Sequence, residues 1–359
     1  MDQNAKKKKK LPIWVTVVLC ILLAVCVFAA AVLLFVNGKL NRISEIDQPD
    51  AAPVPTDGME EEEIFEQEEP AGELAETELE ELLPEDVQWA EPSQAPEEEI
   101  IPADDPGSAV TNVLLIGQDR RPDENGRTRS DAMIIVSMNR NTGKVTLVSV
   151  MRDTYVQIEG HQDNRINTAY RFGGAKLLCD TIEKNFSVHI DGTVGVHFSG
   201  FIDVIDAVGG VDIEVTAEEA GYMNLTQEGI RVRMNTLSGE EALCYSRLRH
   251  LEGGDRMRTW RQRNVIMSLI ERFKGCSVGE LNALIDTVLP YVSTDLSNIE
   301  IMECALTALK MDLGDIRSHS IPIAGAYKAA RIRGMAVYVP DLDKTQEALR
   351  DLLNGDAVS

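Results

Sequence analysis

Apolar residues run without a charged side chain from Leu11 to Gly38, and the apolar pattern then breaks down until about Gly107. Beyond that point it returns with two different periods. Short runs rich in Val, Ile and Leu predict strands at 111–117, 132–138 and 145–150, the last reading Val145-Thr146-Leu147-Val148-Ser149-Val150. Asn141-Thr142-Gly143 sits in the short gap between the second and third runs, so those two should form a hairpin. Apolar positions three and four apart predict helices at 169–186, interrupted by Gly173-Gly174, and at 198–208, closed by Gly209-Gly210. Further helices are expected at 239–247, 255–273, 278–290, 298–312 and 343–353, with strands at 211–215 and 316–321. Strands mixed with helices, including one antiparallel pair, indicate a layered α/β/α domain with a central mixed sheet over residues 108–359.

The uncharged run is long enough to matter by itself. From Trp14 to Val36 it would measure ~35 Å as a helix, enough to cross a bilayer. Lys6 to Lys10 precede it, which places residues 1–10 in the cytoplasm and everything after Lys39 outside the cell. A single-pass cell-membrane protein with an extracellular domain is the expectation, with residues 11–38 as the span. A cleaved signal peptide ending near Phe28-Ala29-Ala30-Ala31 is the rival, disfavoured by the length of the run.

Charge changes the picture once it is divided. The net charge is −24, and residues 44–106 carry 24 Asp and Glu with no Lys or Arg. Residues 39–107 are therefore expected to be a solvated, disordered acidic linker, extended by self-repulsion. Glu73 to Leu83 is its one candidate helix, with Leu74, Leu79, Leu82 and Leu83 on one side. Such a segment also argues against nucleic acid as a partner. Residues 107–359 carry 28 basic and 34 acidic residues, so a locally positive cleft is possible there. Cys179, Cys244, Cys276 and Cys304 lie beyond the span without metal-ligand spacing, and their pairing cannot be deduced.

The candidate chemistry lies in arginines set near aspartates, several of them directly after strand-like runs. They occur in Asp119-Arg120-Arg121, Arg129-Ser130-Asp131, Arg152-Asp153, Arg247-Leu248-Arg249 and Asp255-Arg256-Met257-Arg258. Ligands of open α/β sheets bind at strand ends, and guanidinium forks match phosphate oxygens. Arg247 and Arg249 are two apart, which in an extended segment points both the same way. Arg258 and Gln262 share a helix face, flanked by Arg261 and Asp255. Asp119 and Asp131 are hard-oxygen ligands suited to Mg²⁺ or Mn²⁺ when a pyrophosphate supplies further oxygens. No Walker loop or Gly-x-Ser-x-Gly elbow is present, so neither a P-loop nucleotidase nor a serine hydrolase of that type is supported.

Seven ordered motifs between residues 110 and 273 resemble the LytR-CpsA-Psr family of bacterial cell-envelope enzymes. They are Asn112-Val-Leu-Leu-Ile-Gly-Gln-Asp119, Arg129-Ser-Asp131, Ser149-Val-Met-Arg-Asp153, Arg165-Ile-Asn-Thr-Ala-Tyr170 with Gly173-Gly174, Ala207-Val-Gly-Gly-Val-Asp212, Ala242-Leu-Cys-Tyr-Ser-Arg-Leu-Arg249 and Asp255-Arg-Met-Arg-Thr-Trp-Arg-Gln262. The resemblance implies a transferase that moves a glycopolymer from a polyprenyl-pyrophosphate carrier to peptidoglycan, aided by Mg²⁺. It implies that Asp119 and Asp131 bind the metal. It implies that Arg121, Arg129, Arg152, Arg165, Arg247, Arg249, Arg258 and Gln262 line the pyrophosphate site, with Arg152, Arg249, Asp255 and Arg258 catalytic. The family usually has Pro where Met151 stands and Lys where Arg165 stands; neither change removes a phosphate ligand.

Arginines and a metal would stabilise the charge that develops on the departing polyprenyl phosphate. Asp153 and Asp255 are possible bases, but arginine neighbours are expected to depress their acidity constants, so the base stays open. Phe172, Leu177, Phe198, Phe201, Ile202 and Ile205 could line a slot for the isoprenoid tail, or simply form core. A polyprenyl-pyrophosphate hydrolase and a non-catalytic polymer-binding envelope protein are the alternatives. Direct transcriptional attenuation is a third, poorly matched to an external acidic domain.

Overall fold

The computed structural model describes residues 38–46, 79–87, 89, 109–118, 130–275, 280, 286–287 and 289–354. Residues 1–42 and 43–359 are separate compact units. In the first, residues 38–40 are helical and lead into a turn. The expected span 11–38 lies outside the described residues except for Gly38, and no described helix is long and apolar enough to cross a membrane.

The second unit opens with two short strands, β1 (Ser44–Glu45) and β2 (Glu80–Leu82). The long strands β3 (Val110–Gln118), β4 (Ser130–Asn139) and β5 (Lys144–Val150) come next, followed by β6 (Tyr155–Val156) and β7 (Asn164–Arg165). Then come α1 (Asn167–Phe186), β8 (Gly192–His197), α2 (Phe198–Ala207), β9 (Val211–Val215), α3 (Ala217–Met223), β10 (Arg233–Leu237), α4 (Gly239–Arg247) and α5 (Gly254–Gly275). The chain closes with β11 (Val292–Thr294), α6 (Asn298–Ala308), β12 (Asp312–Ile321), β13 (Tyr327–Ile332), β14 (Met335–Pro340) and α7 (Leu342–Asn354).

Seven strands form the main sheet in the order β1-β11-β8-β3-β4-β5-β12. The hairpin expected from Asn141-Thr142-Gly143 is present, with Asn139 opposite Lys144 and Gly143 at φ 69°. β3 also runs antiparallel to β4, whereas β8 is parallel to β3 and β12 parallel to β5. β11 is antiparallel to β8, and β1 is parallel to β11. The C-terminal ends of β3, β5, β8 and β12 therefore share one end of the sheet with the N-terminal ends of β4, β11 and β1.

Alternation along each strand divides the core. Leu114, Ile116, Met133, Ile135, Val148 and Val150 face α1 and α7 through Leu178, Ile182, Phe186 and Leu349. Ile134, Met138, Val145 and Leu147 point the other way, toward Ile266 and Met267 of α5 and Ala308 beyond them on α6. Period-two alternation with both faces apolar is what a sheet covered by helices on both sides requires. Each fully buried aliphatic side chain contributes about 1.5–3 kcal/mol. A second core, with Ile205, Ile213, Leu237, Tyr245 and Val265, joins the β9–β10 hairpin to α2, α3, α4 and α5.

Three expectations need correction. The helix expected over 298–312 stops at Ala308, and Asp312 already belongs to β12. The leucines of Glu73–Leu83 do not carry a helix to its end, because Glu80–Leu82 is extended and pairs with β13. Two pieces of the stretch expected as a free linker are thus built into the domain, β1 against β11 and β2 against β13. Trp89 adds a third attachment: its ring stacks on Tyr155 at 5.9 Å and its Nε1 donates to Asp163 at 2.8 Å. Most of the expected helix 278–290 lies outside the described residues, and residues 289–291 form a 3-10 turn.

Candidate functional site

Five charged side chains meet beyond the C-terminal end of β5. Arg152 and Asp153 leave that strand, Arg165 comes from β7, and Asp255 and Arg258 come from the first turns of α5. Arg152 Nε lies 3.6 Å from Asp153 Oδ2 and 3.6 Å from Asp255 Oδ1. Arg165 Nε is 3.5 Å from Asp153 Oδ1, and Arg258 Nη2 is 3.0 Å from Asp255 Oδ1. All five are buried, from 2% exposed at Asp255 to 7% at Asp153 and Arg165. Among the described residues, three guanidinium groups gather with two carboxylates where water is scarce. Guanidinium forks held in so dry a place bind an anion more strongly than they would in water.

The backbone holds this group in place. The Thr154 carbonyl accepts from Ile166 N at 2.8 Å, and the Arg152 carbonyl accepts from Asn167 N at 3.4 Å, so the Arg152 and Arg165 segments are stitched together. Burial pushes the Asp153 carboxyl up, against the pull of Arg152 and Arg165. This reverses the expectation from sequence, in which only the adjacent arginine was visible. Asp153 Oδ1 and Asp255 Oδ2 are buried without a hydrogen-bond partner. So are both polar atoms of the Asn167 amide, a residue of the Arg165–Tyr170 motif that the sequence reading passed over. Buried polar atoms in that state call for a ligand or a water.

Other arginines of α5 have structural work. Arg261 Nε donates to Glu219 Oε1 at 2.7 Å and its Nη1 to the Leu248 carbonyl at 2.9 Å, so it is a brace rather than part of an open face. Arg263 reaches Ser318 and Ser149, and Arg256 reaches Ser320 and the Pro322 carbonyl. Burial, helped by Arg256, lowers the Arg263 pKa to about 10. Together they pin α5 across β5 and β12 and aim its N-terminus at Arg152.

Arg247 ends α4, and Leu248 beyond it is extended, with φ −60° and ψ 113°. Leu248 is buried in the second core, Arg247 is exposed and Arg249 is half-buried. Leu248 is thus buried between two more exposed arginines, with Arg247 belonging to the helix rather than to an extended segment. Gln262 is half-buried, one helical turn beyond Arg258. Arg249→Lys is expected to slow turnover of a lipid-linked donor roughly 10- to 150-fold, about 1.5–3 kcal/mol for a lost charge-assisted bond, with an unchanged melt. A lysine variant with wild-type turnover would remove Arg249 from the anion site.

Gln118 pairs with Ser130 across a bulge at this same end of the sheet. Asp119, Arg121 and Arg129 lie outside the described residues, and Asp131 is placed by its backbone in β4. Among the described residues there is no group of three or more His, Cys, Asp or Glu fit for a metal. The proposed isoprenoid-slot residues fall into two places: Phe172 and Leu177 lie against the main core, Phe201 and Ile205 in the second. Cys179, Cys244 and Cys304 form no disulfide with one another.

The LytR_cpsA_psr family model matches residues 87–352. The chain is 32% identical over 251 residues to the polyisoprenyl-teichoic acid–peptidoglycan teichoic acid transferase TagU of Enterococcus faecalis, spanning 68% of this chain and 80% of that one. Its fold is similar to TagT bound to LIIa-WTA, with a TM-score of 0.58, 28% identity, and 71% and 93% of the two chains covered. It is also similar to the family protein YwtF (TagT) with bound octaprenyl pyrophosphate lipid, with a TM-score of 0.54, 26% identity, and 71% and 93% covered.

Proposed function

The chain belongs to the LytR-CpsA-Psr family, and from its site we propose that it is a transferase moving a glycopolymer from a polyprenyl-pyrophosphate carrier to peptidoglycan at the outer face of the cell membrane. The observation that carries this reading is the buried set Arg152, Arg165 and Arg258 with Asp153 and Asp255, gathered beyond the C-terminal end of β5. Relatives named as teichoic acid–peptidoglycan transferases, and a related structure with bound octaprenyl pyrophosphate, support the donor class.

In the reaction, a peptidoglycan hydroxyl oxygen attacks the phosphorus nearest the glycopolymer. A new P–O bond forms, the bond to the bridging oxygen breaks, and polyprenyl phosphate departs with the electron pair. Arg152 and Arg258 are already desolvated and held by carboxylates, so they meet the growing charge without reorganising. Asp153 suits the hydroxyl proton, with a carboxyl raised by burial and an Oδ1 that faces only the more distant ion-pair contact with Arg165 at 3.5 Å. Asp119 and Asp131 adjoin Gln118 and Ser130 in the chain, and two carboxylates with pyrophosphate oxygens would be a donor set suited to Mg²⁺ or Mn²⁺. Bound there, the ion would neutralise the pyrophosphate.

A purified full chain, a synthetic lipid-linked saccharide and a peptidoglycan oligomer, analysed by mass, test this reading. Coupled product is expected, lost on EDTA treatment and in Asp119→Asn and Asp131→Asn. Free saccharide phosphate at equal rate with and without peptidoglycan would identify a hydrolase. Undiminished coupling in EDTA would refute the metal.

A further inference from the structure

We propose that the surface between Tyr222 and Met234 rests on the membrane, seating the arginine site on the headgroup layer of an anionic bilayer. This inference rests on the reading of residues 11–38 as a span and of the donor as lipid-linked.

Where the chain enters the domain is the first observation. β1 is parallel to β11, with Ser44 opposite Ser293, so its N-terminal end lies at the same end of the sheet as Gln118, Arg152 and His197. Five residues separate Gly38 from Ser44. Such a stretch reaches at most ~20 Å when extended. All the acidic residues of 44–106 but Glu45 follow this attachment in the chain, so their self-repulsion does not lengthen the tie between Gly38 and Ser44.

The second observation concerns what else lies at that end. Along α5, Asp255 meets Arg152, Arg261 meets Glu219 of α3, and Arg272 meets Asp212 at the start of β9. β9 thus climbs toward the site, and β10 begins beside its upper end, with Arg233 opposite Val215. The loop entering β10 therefore projects on the site side, and Tyr222 stacks on His250, next to Arg249, at 6.1 Å. There Leu225 is 76% exposed, Met234 64% and Val232 55%. Arg231 and Arg233 alternate with them, and Glu228 is the single carboxylate between Asn224 and Met234. A net positive, apolar segment in a chain of net charge −24 matches an anionic interface, where buried apolar area and Arg charge act together.

This segment is held outward by its own bonds. The Asn224 side chain donates to the Ile230 carbonyl and accepts from its N–H. Asn235 donates to the carbonyls of Arg231 and Arg233 and accepts from Arg231 N. Arg233 is kept at φ 86°, a conformation that non-glycine residues rarely adopt. Val232 and Met234 are thereby prevented from folding back onto the second core.

The test is the full chain reconstituted into phosphatidylglycerol-containing vesicles with a diazirine-bearing phospholipid, irradiated and mapped by mass spectrometry. Adducts are expected within 11–38 and within 222–234. Leu225→Glu with Val232→Glu should abolish the second set and spare the first, with unchanged turnover of a short-chain, water-soluble donor. Adducts in the span without any at 222–234 would overturn the seating while leaving the span intact. Adducts on the exposed Ile299 and Leu306 of α6 and on Leu309 just after it, in place of the loop, would overturn it too. No adducts in 11–38 would show that the span reading itself has failed, and the seating with it.

Discussion

Arg152→Gln should lower transfer by roughly 10²–10³-fold, the usual cost of about 2.7–4 kcal/mol when one preorganised charge-stabilising donor is removed. The fold should survive, because two ion pairs of the cluster remain. Asp153 keeps Arg165 at 3.5 Å and Asp255 keeps Arg258 at 3.0 Å. The same substitution therefore separates two roles that burial alone would confuse. If Arg152 were a structural ion pair, the melt would fall and activity would follow it. If it meets the pyrophosphate, the melt stays and turnover collapses. Donor turnover and thermal unfolding on one preparation decide between them, and a variant that unfolds early while retaining its specific activity would assign Arg152 to the scaffold.

Glu219→Ala is expected to have the largest effect on stability. Glu219 and Arg261 are 3% exposed each, and their ion pair is 2.7 Å long. Removing the carboxylate leaves a guanidinium buried without its counter-charge, which costs ~3–5 kcal/mol. At about 2–4 °C per kcal/mol for a domain of this size, Tm should drop by roughly 6–20 °C. Glu219 also accepts from Thr216 N at 2.9 Å in the capping box of α3, so that helix start loosens as well. Function should follow, since Arg261 holds the Leu248 carbonyl between Arg247 and Arg249. The double variant Glu219→Met with Arg261→Met should recover most of the stability, because two apolar side chains avoid the stranded charge. A single variant that melts like the wild type would show that the pair contributes nothing.

Much of this protein was legible in its order of residues. The strands at 111–117, 132–138 and 145–150 and the helices at 198–208, 239–247 and 255–273 agree with the structure to within a few residues. Their apolar periods are long, and local propensity and burial agree there. The hairpin Tyr327–Pro340 was missed although it carried a signal. Ile332 pairs with Met335, so Arg333-Gly334 is a two-residue turn with both φ positive, a pattern that glycine between apolar runs announces.

The sequence by itself determined the domain's alternating and helical elements, the family, and which arginines and aspartates stand at strand ends. Those follow from local periodicity and short motifs, which need no knowledge of distant contacts. Tertiary structure alone decided which charges meet. Arg261 and Gln262 are neighbours on one helix, yet Arg261 is committed to Glu219, 42 residues away. Asp153 adjoins an arginine in the chain, and only the enclosing fold makes burial outweigh that neighbour. Ser44–Glu45 and Glu80–Leu82 looked like solvated linker because two or three residues carry no period; their strand partners lie at 293–294 and 330–332. Pairing over such distances depends on what the rest of the chain places beside them, and no local pattern records it.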